Sequence, residues 1–496
     1  MRSRSMLLEA IARHAAERPS ATALADIGSE GDVTASLTWR EFATAAAARA
    51  GIISSVAPLG TTVLAALPTG IDLAVWIVGA IDSGVRLVLM HPRSGPAEVA
   101  AVRGRTGSTV VVAADELLIR VDEAVVRLQV PVQALSESSV PTRLPNLSLA
   151  EPGSLVLGSS GTTGLPKLVR RESEALDADA RAVAGGLLLN PADHVLCVPP
   201  LTHSYGIDVL LGTLLSGATL RLMSEFDAIG AARQLADGVT VLPGVPFVYE
   251  ALARIGESGG AGNFPRHELR IAVSAGSRLS PRVRREFTNL WKIGVGQLYG
   301  ATELGTVSVN LPHEPSFDPE SIGRPLPGVS FRILDVDEPS RILRPGVDGH
   351  LAVRAPSMLS GYVDGNLDLI DGHLATGDLA RIDSSGRATI TGRLKQLIDS
   401  GGFKVNPLEV ESVLSEHPGV AECAVVPLEL SDSIQRLAAF VVPKNPERPP
   451  ADSDLRQFLR ERLAPTKIPR RFDMLATLPR SPLGKLQREK LPRGNA

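Results

Sequence analysis

Leu155-Val-Leu-Gly158 runs straight into Ser159-Ser-Gly-Thr-Thr-Gly-Leu-Pro-Lys167. An apolar, strand-like stretch therefore feeds a loop with two glycines, four hydroxyls and a lysine. Glycine admits positive φ and close backbone approach. Successive N–H groups can then turn inward as an anion-binding hollow. The hydroxyls add donors and Lys167 adds a point charge. The spacing differs from the Walker phosphate loop, and Pro166 precedes the lysine. Alone, such a loop reads as an ordinary linker, so its meaning depends on what surrounds it.

Outward from it, the chain reads as α/β. Residues 6–18 place Leu7, Leu8, Ile11, Ala12 and Ala15 on one helical face. From 61 onward, apolar runs alternate with helical stretches: TTVLAALP (61–68), VRLVLM (85–90), STVVVAA (108–114), HVLCVPP (194–200), TLRLM (219–223), VTVLPG (239–244) and LRIAVSAG (269–276). These runs lack polar alternation, which predicts strands covered on both faces and a parallel-rich sheet. Residues 131–152, rich in Pro and Ser, read as a surface connection. After about 320, Gly/Pro-punctuated segments such as GHLAVRAP, ATGDLARID and RATITGR read as a compact β region. A further boundary falls at 393–395. Beyond it, Asn406 and Pro407 supply the N-cap and first position of a helix. AECAVVPL and RLAAFVVP (strands), DSDLRQFLRERLA (helix) and RFDMLATLP (strand) follow. The expected architecture is a large N-terminal domain over 1–392, with parallel-rich sheets, helices and a small β region. A link at 393–395 and a small α+β C-terminal domain over 396–496 complete it.

Composition narrows the function. The 496 residues are 44% hydrophobic and 21% charged, enough to bury a core without disulfides. This excludes a disordered chain and a disulfide scaffold. A net charge of −3 and 4% aromatics lack the basic footprint and stacking residues of a nucleic-acid binder. Cys197 and Cys423 have no metal-ligand spacing and suit a reducing cytoplasm. IDLAVWIVGAIDSGVRLVLM is broken by Asp72, Asp82 and Arg86, so it predicts a helix then a strand, not a membrane span. The N-terminal stretch has no apolar run long enough for a signal peptide. Only eight of the 51 basic residues are lysines, which makes each lysine informative.

Further segments follow in order: Ser274-Ala-Gly-Ser-Arg278, Tyr299-Gly-Ala-Thr-Glu303, Thr376-Gly-Asp378, Gly392-Arg393, Lys395, Ser400-Gly-Gly-Phe-Lys-Val405 and Ser481-Pro-Leu-Gly-Lys485. With the 159–167 loop, this series resembles the adenylate-forming (ANL) superfamily. Within it, the acyl- and aryl-CoA synthetases of the 4-coumarate:CoA ligase type are the most similar. The resemblance spans roughly 150–490. One departure is that Ser277 and Arg278 stand where the family has a small residue and Pro.

The resemblance implies a role for each motif residue. Ser159, Ser160, Gly161, Thr162, Thr163, Gly164 and Lys167 would hold the phosphates of ATP. Gly276 and Ser277 would flank the adenine, on which Tyr299 packs. Thr302 would meet the phosphates and Glu303 would hold Mg²⁺. A carboxylate beside a triphosphate is repulsive unless a cation lies between them. Asp378 and Arg393 would take the ribose, Lys395 would be the hinge and Lys485 the catalytic cation. The carboxylate substrate itself attacks the α-phosphate, so no Ser-His-Asp set is needed. The protein positions two anions and neutralises growing charge. The acyl-adenylate then passes to a thiol, of CoA or of a phosphopantetheine on an acyl carrier protein, after the small domain rotates.

The acid pocket is implied at His203, Tyr205, Gly244, Val245, Phe247, Ser274, Gly300, Leu304 and Gly305. Amino-acid-activating relatives carry an Asp after an aromatic near His203, where this chain has Ser204. Asp208 lies nearby and leaves an amino-bearing acid disfavoured rather than excluded. Where many relatives read IK before the glycine loop, this chain has Ile398-Asp399, which keeps a non-thiol acceptor such as an amine open. A non-catalytic nucleotide-binding module is the remaining alternative. Oligomeric state leaves no mark on the sequence.

Overall fold

In a computed structural model, residues 5–108, 110–113, 126–127, 153–159, 167–258, 267–399, 404–431, 434–480 and 486–491 are described. Internal contacts divide the chain into two compact units. The larger is Met1–Ser330 with Arg354–Asp368, and the smaller is Phe331–Val353 with Leu369–Ala496.

The larger unit holds two sheets. One has eight strands, in the order Gly305–Asn310, Val295–Ala301, Ile271–Ser274, Val241–Gly244, His194–Cys197, Thr219–Met223, Thr22–Ile27 and Val33–Thr38. Its inner pairings are parallel and its two edge pairings antiparallel. The second has seven, in the order Gly361–Tyr362, Lys167–Arg171, Ser154–Ser159, Arg86–Leu89, Thr62–Ala66, Val110–Ala113 and Val126–Arg127. Each apolar run read as a strand forms one of these inner strands, and the 131–152 stretch lies outside the described residues.

Successive side chains of a strand point to opposite faces, and each sheet buries both. Val195 and Cys197 join the central core, while Leu196 and Val198 face a second one. In the other sheet, Val63 and Ala65 face the central core, and Leu64 and Ala66 a third. The central core also takes helices Met6–Glu17, Trp39–Val56, Ile71–Ser83, Ser173–Gly186 and Ser204–Ser216, so helices lie between the two sheets. Helix Ile71–Ser83 is apolar almost all round and almost fully buried, ending at Gly84 in the left-handed region (φ 73°). Among the described residues, no helix is long and apolar enough to cross a membrane.

The smaller unit starts with a β region. Ser330–Leu334, Gly349–Arg354, His373–Ile382 and Leu369–Ile370 form one path, with Ala388–Arg393 paired to His373–Ile382. The hairpin Ile398–Asp399 with Lys404–Val405 follows. Helix Pro407–Leu414 is capped as its sequence predicts, the Asn406 side chain accepting the Leu408 N–H at 3.1 Å. Strands Val420–Ser431, Ile434–Pro443 and Arg471–Met474 form the last sheet, with helix Asp452–Arg460 packed on it. The contacts thus group 331–353 and 369–392 with the C-terminal segment, whereas the sequence reading placed them in the N-terminal domain. Their strands hydrogen-bond to one another, and the Asn406 side chain donates to the Thr391 carbonyl. Cys197 is buried and its thiol is pushed up to about 12 by burial. The Cys423 thiol donates to the Glu411 carbonyl and is pushed well up, again chiefly by burial.

Candidate active site

Ser159 ends strand Ser154–Ser159, and Lys167 begins its antiparallel neighbour Lys167–Arg171, directly opposite in register. The two ends of the 160–166 stretch are therefore held opposite each other by the sheet. Ser160, Gly161, Thr162, Thr163 and Gly164 lie outside the described residues, as does Lys485. The exposed Lys167 ammonium stands 5.2 Å from the centre of the Tyr362 ring. Burial raises the Tyr362 hydroxyl above its ordinary value, and the charge of Glu303 adds to that. Lys167 and Glu303, far apart in the chain, thus both bear on one tyrosine ring.

Glu303 occupies the turn between strands Val295–Ala301 and Gly305–Asn310. Its carbonyl accepts the Leu359 N–H at 2.8 Å, and the Leu304 carbonyl accepts the Ser357 hydroxyl at 2.7 Å. Thr302 Oγ1 is 3.3 Å from Ser204 Oγ, which ties the turn to the start of helix Ser204–Ser216. Tyr299 is half-buried opposite Ser308, and the ladder slips between Tyr299 and Gly300. Among the described residues, no group of three or more His, Cys, Asp or Glu could hold a metal. A lone carboxylate such as Glu303 holds a hard cation only when other oxygens, from phosphate or water, complete the shell.

Beneath the turn lies a fully buried ion cluster. Arg171 contacts Asp179 at 2.8 Å and Asp208 at 3.0 Å. Asp179 accepts the Thr306 N–H at 2.8 Å, and the Thr306 hydroxyl lies 3.4 Å from Asp208. Gly305, in the left-handed region at φ 68°, passes over this cluster. A Cβ there would stand 2.7 Å from both Arg171 Nη2 and Asp179 Oδ1. Burial, then the charge of Asp179, raises the Asp208 carboxyl well above the carboxylate range. Asp208 is thus committed to Arg171. No motif marks Arg171, Asp179 or Tyr362; a buried Arg shows only once its partners are known.

The remaining positions form two groups. His203 occupies the N-cap position of helix Ser204–Ser216, and burial, with His91 nearby, lowers its imidazole below the usual value. The Tyr205 hydroxyl is enclosed and has no hydrogen-bond partner among the described residues. In the second group, Gly244 and Ser274 are register partners at the ends of adjacent strands, and the Ser274 hydroxyl is likewise enclosed, with no partner among the described residues. Tyr249 joins them, donating to the Leu242 and Val273 carbonyls. Val245 lies beside Gly276, which takes φ 82°. Gly276 and Ser277 are exposed, and Arg278 pairs with Glu320. Arg284 holds Glu320 as well, at 3.2 Å. Phe247 is 43% exposed, edge-on to Phe226. Gly300 is exposed and Leu304 fully buried.

In the smaller unit, Asp378 and Arg393 face each other across adjacent strands, Nε to Oδ1 at 2.7 Å. Thr376 Oγ1 donates to the Leu351 carbonyl, and Gly377 N–H donates to His350 Nε2 at 2.8 Å. Lys395 is exposed in a short 3₁₀ turn, Leu394–Gln396.

Comparison with known proteins gives the same picture. Residues 11–363 match the family "AMP-binding enzyme", and residues 409–485 match "AMP-binding enzyme C-terminal domain". A probable CoA ligase of Humulus lupulus is 31% identical over 68% of this chain, and the match spans 60% of that relative's length. A sulfoacetate–CoA ligase of Cupriavidus necator is 31% identical over 87% of both chains. The crystal structure of ATP-bound MatB from Rhodopseudomonas palustris superposes with a TM-score of 0.87 at 23% identity. It covers 99% of this chain and 98% of its own.

Proposed function

Since the chain belongs to the AMP-binding enzyme family, we propose that it activates a small carboxylic acid with ATP and passes the acyl-adenylate to a thiol. The observation that carries this is Lys167, at the end of the glycine-rich stretch, standing over the Tyr362 ring, with the Glu303 charge acting on the same residue. A cation and a carboxylate acting on one region suit a metal-bound polyphosphate.

In this reading the 159–167 loop and Lys167 take the β- and γ-phosphates, and Thr302 donates to a phosphate oxygen. Glu303 would hold Mg²⁺ arriving with the nucleotide; the ion supplies charge neutralisation on the phosphates. Gly276 and Ser277 flank the adenine, Tyr299 packs on it, and Asp378 and Arg393 take the ribose. His203 faces the acid, whose pocket runs over Tyr205, Gly244, Val245, Phe247, Ser274, Gly300, Leu304 and Gly305. Lys485 contributes the cation between the carboxylate and the α-phosphate. Charge grows there in the transition state, where a preorganised cation counts most. The commitment of Asp208 to Arg171 supports an acid without an amino group.

The thiol belongs to CoA or to the phosphopantetheine of a carrier protein. The relative from Humulus lupulus is a probable CoA ligase, that from Cupriavidus necator a sulfoacetate–CoA ligase, and one from Streptomyces coeruleorubidus, 31% identical, a fatty acid–[acyl-carrier-protein] ligase. A hinge at 393–395, with Lys395 absorbing the backbone change, separates the two half-reactions. The two unbridged cysteines suit the cytoplasm.

The test is pyrophosphate release against a panel of aryl, acyl and amino-bearing acids, with products weighed in the presence of CoA, carrier protein or neither. Acid-dependent release together with a thioester product is expected. Release without a thioester means a non-thiol acceptor, and ATP binding without release means a non-catalytic module.

A further inference from the structure

We propose that His350 is a positioning residue for the Thr376–Asp378 turn: its Nε2 accepts the Gly377 N–H at 2.8 Å and so fixes the carboxylate that takes the ribose. The inference rests on the assignment of Asp378 to the ribose.

The strand pairing explains why a side chain is needed here. His350 faces Leu379 and Ala352 faces Ala375, so Thr376, Gly377 and Asp378 all oppose the single residue Leu351. Such a bulge lifts backbone groups out of the regular ladder, and buried N–H groups need acceptors. Two side chains provide them. Thr376 Oγ1 accepts the Asp378 N–H at 3.1 Å while donating to the Leu351 carbonyl at 2.9 Å. His350 takes Gly377, which turns through φ 81°.

An amide N–H can only donate, so Nε2 carries a lone pair and the proton of the neutral ring is on Nδ1. Protonation places a second donor against the Gly377 N–H and breaks the bond. Asp378 is the charged group that acts on the ring, favouring the imidazolium. Burial opposes it more strongly and holds the imidazole below the usual histidine value. Of the other charges here, Asp348 pairs with Arg381 at 2.7 Å, Arg393 pairs with Asp378 at 2.7 Å, and Arg354 is exposed at the end of the strand. The turn is therefore formed at neutral pH and released as pH falls through the lowered imidazole value.

The experiment measures ATP affinity by calorimetry, together with KM for ATP and kcat for pyrophosphate release, from pH 8 to 5.5. It uses the full chain and the variants His350→Gln, His350→Leu and Asp378→Ala. Glutamine keeps an acceptor and does not titrate. In the wild type, affinity for ATP falls on the acid side while kcat moves less. His350→Gln retains neutral-pH affinity and lacks the acid-side fall. His350→Leu is weaker than the wild type by about fivefold at neutral pH, a typical yield of one hydrogen bond, and the gap closes on the acid side. The phosphates of ATP titrate equally in every protein and cancel in the comparison. Wild-type affinity in His350→Leu, or an unaltered acid-side fall in His350→Gln, overturns the proposal. Undiminished affinity in Asp378→Ala instead overturns the ribose assignment, and this proposal with it. An altered Asp378→Ala beside a normal His350→Leu overturns the role of His350 alone.

Discussion

Arg171 carries one positive charge between two carboxylates, sealed from water. Burial and the charge of Asp179 push the Asp208 carboxyl upward, which favours its protonated form. Removing Arg171 leaves buried acids without a counter-ion, a loss of about 3–5 kcal/mol. We expect Arg171→Leu to lose about that much in urea unfolding. Asp208→Asn, which resembles a protonated carboxyl, should lose under about 1.5 kcal/mol. Equal losses would mean that Asp208 is ionised. At the candidate site, Lys167→Ala and Glu303→Gln should each slow acid-dependent pyrophosphate release by roughly 10²–10³-fold. Lys485→Ala should nearly abolish it. Near-normal rates in these folded variants remove the assigned roles. Lys167 and Glu303 were legible in the sequence because each stands in a short motif with its own chemistry. Tyr362 was not, since a Gly-Tyr pair in a β-rich stretch says nothing until the strand beside Lys167 is known to be Gly361–Tyr362.

Among elements, the turn after Val295–Ala301 has the least freedom. Gly305→Ala meets a positive φ and two buried side chains at once. Backbone strain of this kind costs on the order of 1–3 kcal/mol, so a lower melting temperature and a raised KM for ATP are expected together. A lower melting temperature alone would separate the turn from nucleotide binding. At another helix start, Asp26 Oδ1 accepts the Ile71 N–H at 2.9 Å, and burial pushes its carboxyl up to about 6. Its folded value lies above the unfolded one, near 4. Its contribution to stability is therefore full below about pH 4 and is lost as pH rises through 6. Asp26→Asn keeps the acceptor without ionising. It should gain roughly 1–2 kcal/mol at pH 8, discounted for partial exposure, and much less at pH 4. An equal gain at both values would rule out ionisation as the cause. Strands were the most legible elements, because an apolar run buried on both faces has few alternatives. The slip between Tyr299 and Gly300, and the bulge opposite Leu351, depend on partner strands and left no pattern in the sequence.

Across the whole molecule, the change of texture after 320 was visible in the sequence, yet the boundary was drawn at the hinge motif. Contacts instead join Phe331–Val353 and Leu369–Ala496. The pairing of 349–354 with 373–382 is long-range in sequence and carries no local mark. The hinge reading makes its own prediction: Lys395→Pro should keep pyrophosphate release and lose the thioester. Loss of both in a folded protein would argue against a hinge there. The raised thiols of buried Cys197 and half-buried Cys423 open a direct way to watch such a motion. The thiolate is the reactive form, and burial keeps both cysteines protonated at neutral pH. Native thiols will compete little with maleimide dyes, so one cysteine introduced on the surface of the larger unit and one beyond residue 395 can be labelled without first stripping the chain of its own. The separation of the two dyes could then be followed through a single turnover as ATP, acid and thiol are added in sequence.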